Sequence, residues 1–177
     1  MNKIKLIVMD VDGTLTDGGV YIDSNGVENK RFDVQDGAGI LIAQQVGIEF
    51  MIITGRKSYC VEKRAEELKI KYVYQGVHDK LQHLEEFMLN NHLVKEEVAY
   101  IGDDLNDYKS MKFVGLSACP NNAVEEIRKI SRINLSKNGG NGAVREFIEI
   151  LLKDRKEWEF AVEKFFGVNI EEEKCLC

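Results

Sequence analysis

The chain has 177 residues and a formal net charge of -6, and 44% of its residues are hydrophobic. This length and composition are typical of one globular domain. The acidic balance gives no long-range attraction for nucleic acid, and no apolar run reaches the ~18 residues of a membrane span, so we expect neither a nucleic-acid partner nor membrane association. The cysteine spacing indicates neither a zinc knuckle nor a disulfide framework, which favours a cytoplasmic location.

Apolar runs of strand length alternate along the chain with segments of helical period. The predicted strands span residues 4–9, 49–54, 72–74, 98–101, 114–117 and 133–135. The predicted helices span residues 37–46, 58–68, 79–91, 122–130 and 142–152, and the last one is expected to continue past Trp158. This order predicts an α/β fold in which a mostly parallel sheet is flanked by helices.

The segment 19–34 interrupts the alternation. Apolar Val20 and Ile22 precede the turn sequence Ser24-Asn25-Gly26, and Val27 and Phe32 follow it, a pattern typical of a β-hairpin. The remaining connections are too short to hold a separate cap domain. Residues 1–152 are therefore expected to form one domain, and residues 153–177 a helical and flexible C-terminal extension whose aromatic side chains pack on the core or on a neighbouring subunit.

Acidic side chains cluster at the ends of two predicted strands. Asp10 and Asp12 follow the first strand on a backbone that Gly13 allows to turn sharply, and Asp103 follows the strand 98–101. Because parallel strands place their carboxyl ends at one edge of the sheet, these carboxylates are expected to meet there. Oxygen ligands of this kind select a hard cation such as Mg²⁺.

Groups suited to an anion follow other strands. Thr54, Gly55 and Arg56 offer a hydroxyl, an approachable backbone and a guanidinium, and Lys80 adds a point charge at the start of a helix. Together with the acidic cluster they favour phosphoryl transfer over metal storage. Simpler interpretations stay open: Lys80 as a solvated lysine, Thr54 as a strand-end hydroxyl, and Asp104 and Asp107 as caps of the following helix.

These residues, in this order, resemble the four motifs of the haloacid dehalogenase-like (HAD) phosphohydrolases. The motif segments are residues 10–14, 54–56, 80 and 102–107. Further segments resemble the cap-less branch of 3-deoxy-D-manno-octulosonate 8-phosphate phosphatases and related sialic-acid-type sugar phosphatases: residues 17–18, 32–37, 75–76 and 139–146. The resemblance implies a Rossmann-like HAD core with a small hairpin insertion and no cap domain.

The resemblance also implies a mechanism. Asp10 is the expected nucleophile, and Asp12 the expected general acid and base, with its carboxylate facing away from the metal. The implied Mg²⁺ ligands are the carboxylates of Asp10 and Asp103 and the backbone carbonyl of Asp12. The implied phosphate and substrate contacts are Thr54, Gly55, Lys80, Asn106, Asp33, Arg56 and Arg64.

Arg56 and Arg64 are eight residues apart, so they project from one helix face if the helix begins at once. A guanidinium there suits the carboxylate of a sugar acid, although Lys57 and Lys63 also allow a purely solvated basic face. Asp33 is a sugar contact by resemblance only. The arginine at position 56 favours an eight-carbon acid, because the nine-carbon branch carries an acidic residue there.

The sequence thus predicts a Mg²⁺-dependent phosphatase that acts on 3-deoxy-D-manno-octulosonate 8-phosphate on the route to lipopolysaccharide precursors. The alternatives are a nine-carbon acid 9-phosphate phosphatase and a catalytically silent oligomerisation module associated with a CMP-sugar synthetase. Hairpins of the resembled branch help to build a tetramer, so we expect a homotetramer through residues 19–34, with a monomer as the alternative.

Overall fold

The structure is a computed structural model that describes residue 1 and residues 3–170. Within these residues the strands are β1 (Leu6–Met9), β2 (Tyr21–Ile22), β3 (Glu28–Asn29), β4 (Glu49–Thr54), β5 (Tyr72–Gln75), β6 (Val98–Ile101), β7 (Leu116–Cys119) and β8 (Ile133–Asn134). The helices are α1 (Val34–Gln44), α2 (Tyr59–Glu67), α3 (Lys80–Asn90), α4 (Tyr108–Phe113), α5 (Glu125–Ile130), α6 (Ala143–Asp154) and α7 (Trp158–Phe166).

The main sheet has the strand order β5-β4-β1-β6-β7-β8, with every neighbouring pair parallel. The first strand therefore lies in the middle, between β4 and β6. Its residues alternate between two apolar layers: Ile7 and Met9 face α1, α2, α6 and α7, whereas Leu6 and Val8 face α3, α4 and α5. This is the predicted α/β architecture, with helices covering both faces of a parallel sheet.

Several predicted boundaries differ from the structure. Helix α1 begins at Val34 rather than at residue 37, because the side chain of Asp33 caps it by accepting hydrogen bonds from the amides of Gln35 and Asp36. Strand β7 lies two residues later than predicted. The last helix does not continue past Trp158: α6 ends at Asp154, and a second helix starts after Lys156, whose φ is 57°.

The predicted hairpin is present as β2 and β3, with Tyr21 paired to Asn29 and Ile22 to Glu28. In the described part of the chain, the connections between the motif loops contain this hairpin and the helices and strands of the core, without a cap domain. None of the described helices has the length and apolar character needed to cross a bilayer.

The predicted extension starts within α6. Trp158, Ala161 and Val162 of α7 are buried in the same core cluster as α1 and α6, whereas Phe160 and Phe166 are exposed. Trp158 of this segment thus packs on the core, which is one of the two arrangements predicted for its aromatic residues. The division at residue 152 stays a prediction, and residues 171–177 of the predicted extension lie outside the described residues.

Candidate active site

The loop after β1 packs directly against the loop after β6. The amide of Asp10 donates to the carbonyl of Ile101 at 3.0 Å, which aligns the two strand ends. Between them Gly13 adopts a φ of 98°, and a Cβ atom at this position would overlap the carboxylate of Asp103. Glycine is therefore required both by the backbone conformation and by this close approach.

The close approach assembles a buried acidic cluster. Carboxylate oxygens of Asp10, Asp103 and Asp107 lie within 4.8 Å of one another. The ammonium of Lys80 donates to Asp10 at 2.6 Å and to Asp107 at 2.7 Å. The hydroxyl of Tyr100 donates to Asp107 at 2.7 Å. Sheet order thus places residues from three distant segments in one site.

Electrostatics at the cluster favour a bound cation. Desolvation by burial, together with repulsion from Asp107, raises the pKa of Asp10 to about 7, although Lys80 opposes this shift. Desolvation and the charges of Asp10 and Asp107 raise the pKa of Asp103 to about 8. Among the described residues, Lys80 is the one cation paired with these carboxylates. The excess of buried carboxylate oxygen fits a hard divalent cation.

The side chain of Asp12 contacts a different set of groups. Its Oδ1 atom accepts a hydrogen bond from the ammonium of Lys30, and its Oδ2 atom lies 3.8 Å from Nε of Arg56. The carboxylate is 27% exposed, whereas that of Asp10 is 5% exposed. The two acidic groups of the first motif therefore occupy different environments.

The remaining anion-binding candidates lie around this edge of the sheet. Thr54 is buried at the end of β4, next to β1, and Gly55 and Arg56 follow it on the surface. Arg56 donates to Glu28 at 2.7 Å. Asn106 is exposed and lines a pocket of about 230 Å³ that Lys80 also lines.

Arg56 and Arg64 do not project from one helix face, so that expectation is wrong. Helix α2 begins at Tyr59, which places Arg56 in the preceding loop. Arg64 instead donates to the backbone carbonyl of Asp33 at 3.1 Å and pairs with Glu67. The carboxylate of Asp33 serves as the cap of α1.

Comparisons with known proteins place the chain in a family. The model of the haloacid dehalogenase-like hydrolase family matches residues 7–78 and 73–148. The chain belongs to this family. The HAD-like chain is 42% identical over 154 residues to the 3-deoxy-D-manno-octulosonate 8-phosphate phosphatase of Escherichia coli strain K12, a match that covers 85% of this chain and 80% of that protein.

Solved structures of such phosphatases share the fold. The crystal structure of the 3-deoxy-D-manno-octulosonate 8-phosphate phosphatase from Moraxella catarrhalis, in complex with magnesium ion, phosphate ion and KDO, is similar with a TM-score of 0.89 and 42% identity, covering 93% of this chain and 94% of that one. The cobalt-bound enzyme from Haemophilus influenzae has a TM-score of 0.85 and 32% identity, covering 89% and 92%. The predicted HAD core is thereby confirmed.

Two simpler interpretations of the motif residues are wrong. Lys80 is not a solvated lysine, because it is only 2% exposed. Asp107 does not serve merely as a cap: it occupies the N-cap position of α4, but its side chain makes no capping bond and is fully buried against Lys80 and Tyr100. Asp104 is exposed and accepts from the amide of Leu105 at 2.7 Å.

Two further loops, one after β7 and one after β8, pack against the loop of the first motif. The side-chain amide nitrogen of Asn122 donates to the carbonyl of Gly13 at 3.0 Å. Its side-chain oxygen accepts from the backbone N–H of Gly139 at 2.6 Å. The backbone amide of Gly140 donates to the backbone carbonyl of Thr14 at 3.2 Å. The glycine-rich segment 139–142 therefore packs on the loop that carries Asp10 and Asp12.

Sequence reasoning missed several residues of the site. Thr14 donates to Asp103 at 2.9 Å, and Tyr100, Asn122, Glu28 and Lys30 make the contacts described above. Thr14 lies in the first motif segment, and Tyr100 lies in the strand that leads into the fourth. A polar side chain at the end of a buried strand was the feature that could have indicated them. Glu28 and Lys30 offered none beyond their charge.

Proposed function

We propose that this chain is a Mg²⁺-dependent phosphatase that hydrolyses 3-deoxy-D-manno-octulosonate 8-phosphate to the free sugar acid and phosphate. The observation that carries the proposal is the buried cluster of Asp10, Asp103 and Asp107 with Lys80, in a HAD-like chain 42% identical to a phosphatase of this specificity. Its reaction class is phosphoric monoester hydrolysis.

The reaction proceeds in two displacements. A carboxylate oxygen of Asp10 forms a bond to phosphorus while the bond from phosphorus to the sugar oxygen breaks, and that oxygen takes a proton from Asp12. Water then attacks the phosphoaspartyl group, the bond from phosphorus to the Asp10 oxygen breaks, and Asp12 accepts the proton of the water. The separate environments of the two carboxylates support this division of roles.

The carboxylates of Asp10 and Asp103, with the backbone carbonyl of Asp12, would hold the Mg²⁺ ion. When bound, the ion offsets the repulsion between an anionic nucleophile and a phosphate dianion. Lys80 lies within hydrogen-bond distance of Asp10 and so reaches the same phosphate. Thr54, Gly55 and Asn106 complete the phosphate contacts at this edge of the sheet.

The sugar acid requires a second cation for its carboxylate. Arg56 is half-exposed beside Asp12 and is placed to contact a substrate held at that carboxylate. Asp33 and Arg64 are bonded to each other and to α1 and Glu67, so their proposed role is to shape the wall of the site.

The setting of the enzyme is also proposed. Val20, Ile22 and Val27 of the hairpin are 56–63% exposed, which supports a homotetramer built through residues 19–34. The substrate belongs to lipopolysaccharide precursor synthesis, and the chain is proposed to act in the cytoplasm, with residues 1–152 as the phosphatase domain and residues 153–177 as its extension.

The test is a panel of phosphorylated sugars compared by kcat/KM in the presence of Mg²⁺. We expect at least a tenfold preference for the eight-carbon acid phosphate over neutral hexose phosphates. Arg56→Gln should reduce kcat/KM for the acid by ~10- to 100-fold, as for a lost charged hydrogen bond, and leave an aryl phosphate almost unaffected. Lys57→Gln, which changes the adjacent exposed cation, is the matched control.

Two other results would support the alternative functions. A preference for a nine-carbon acid 9-phosphate would move the chain to that branch. Absence of phosphate release from every substrate would support the silent oligomerisation module instead.

A further inference from the structure

Lys30 is a buried cation outside the four motif segments. It follows β3 on the hairpin, where Tyr21 and Ile22 are exposed, yet its own side chain is only 2% exposed. Lysine is rarely buried to this extent unless its ammonium is paired. The contacts that compensate its burial therefore indicate what the hairpin does at this position.

The contacts of Lys30 lead to the proposed general acid and base. Its ammonium donates to Oδ1 of Asp12 and lies 3.4 Å from Oε1 of Glu28. Glu28 in turn accepts from Arg56 at 2.7 Å, and Nε of Arg56 lies 3.8 Å from Oδ2 of Asp12. Each oxygen of Asp12 thus faces a cation, one from the hairpin and one from the loop after β4.

We propose that Lys30 is a positioning residue that holds the carboxylate of Asp12 in its reactive orientation. The inference rests on the proposed function. An aspartate side chain turns about two torsions, and a charge-assisted bond from a buried donor restricts both. Without Lys30, the one other cation beside the partly exposed carboxylate of Asp12 among the described residues is the more distant and half-exposed Arg56. Small displacements of a reacting group lower rates by about 100-fold.

The two displacements depend on Asp12 differently when the leaving group changes. A sugar alkoxide needs a proton as its bond to phosphorus breaks, so Asp12 takes part in both steps. An activated aryl oxide leaves without that proton, so only the attack of water on the phosphoaspartyl group then needs Asp12. A misplaced Asp12 should therefore slow the second step with an aryl phosphate and both steps with the sugar acid phosphate.

The experiment compares wild type, Lys30→Met and Lys30→Arg by rapid-quench kinetics with p-nitrophenyl phosphate and 3-deoxy-D-manno-octulosonate 8-phosphate, each with Mg²⁺. For Lys30→Met we expect kcat on the sugar acid phosphate to fall by ~100-fold or more. With the aryl phosphate we expect a burst of nitrophenol. The ratio of the burst rate to the steady-state rate should be at least about tenfold higher than in wild type. Lys30→Arg should recover part of both losses.

Controls separate positioning from a general loss of structure. Lys129→Met removes an equally charged side chain from an exposed ion pair with Glu125 and should leave both rates unchanged. Thermal unfolding checks that each variant is folded. If Lys30→Met does not fold, Lys30→Gln takes its place, with the same pattern expected at smaller size.

Equal losses on both substrates without a burst, or unchanged kinetics, would overturn the role of Lys30. Absence of phosphate release by wild type would instead refute the proposed function, so the two failures are distinguishable.

Discussion

The sheet edge and the hairpin differ in how they are packed. At the edge, Asp10, Asp107 and Lys80 are nearly inaccessible to solvent and lie at the ends of strands and helices that pack into the two core layers. In the hairpin, β2 and β3 have only two residues each, and the apolar side chains face outward. A pair of strands this short is not stable alone.

The hairpin strands β2 and β3 are held to the site mainly by polar contacts, and Phe32 after them packs on the core. Tyr21 donates to Asp17 at 2.8 Å, and Arg31 donates to Asn141 at 3.1 Å. These contacts join those of Lys30 with Asp12. The proposed nucleophile, Asp10, therefore depends on the rigid core, whereas the proposed acid and base, Asp12, depends on an element of low local stability.

The largest expected effect belongs to the edge. Asp10→Asn should lower kcat by ~10⁴-fold or more, because the amide is not a nucleophile. It should also raise the melting temperature, because it removes one charge from a buried repelling cluster. Phosphate release and thermal unfolding measure the two. Asp23→Asn, in the exposed hairpin turn, is the control, and equal losses in both variants would contradict the contrast.

A glycine in each region gives the next test. A Cβ atom at Gly139 would overlap the carbonyl of Gly13, so Gly139→Ala must displace the catalytic loop and should lower kcat by ~100-fold. Gly26 has a φ of 79° with open space around it, so Gly26→Ala should cost only about 1 kcal/mol of unfolding free energy. Steady-state kinetics and urea unfolding distinguish them. Retained activity in Gly139→Ala would show that its loop does not support the site.

Metal and pH should act most strongly on the edge. The raised pKa values of Asp10 and Asp103, about 7 and about 8, mean that the folded chain without metal binds more protons than the unfolded chain above about pH 4. Its stability should therefore fall as the pH rises towards 8. Mg²⁺ at ~100 times its Kd should restore ~2.7 kcal/mol, most at high pH.

Calorimetry with EDTA or Mg²⁺ tests this expectation. Asp103→Asn should weaken both the pH dependence and the response to Mg²⁺, whereas Asp23→Asn should keep them. A melting temperature that rises steadily from pH 4 to 8 in EDTA would contradict the sign.

The smallest effect on the folded subunit is expected at the hairpin surface. Ile22 is 63% exposed, so Ile22→Ser should change the unfolding free energy of the subunit by no more than about 0.5 kcal/mol. The same change should dissociate the proposed tetramer, as sedimentation velocity would show. Leu89→Ser, at a 77% exposed position on α3, should leave the assembly intact. An unchanged sedimentation coefficient in Ile22→Ser would place the interface elsewhere.

Local patterns were sufficient for the architecture and for the motif positions. Apolar period predicted the strands of the main sheet and most helices to within a few residues, but it did not predict α4 or the break between α6 and α7. The hairpin turn was visible in three consecutive residues. The gathering of Asp10 and Asp103 followed from the rule that parallel strands end at one edge. Helix starts were less predictable, since a cap such as Asp33 acts through the amides of its neighbours.

The sequence by itself determined which chemical groups this protein has and which strand ends carry them, because those depend on order and period along the chain. Only the tertiary structure decided that Lys30 meets Asp12, that Asp107 meets Lys80 and that Gly139 meets the loop of Gly13. These contacts join residues 18, 27 and 126 positions apart. Their distances depend on how layers pack, and burial then sets the charge and orientation that each group can adopt.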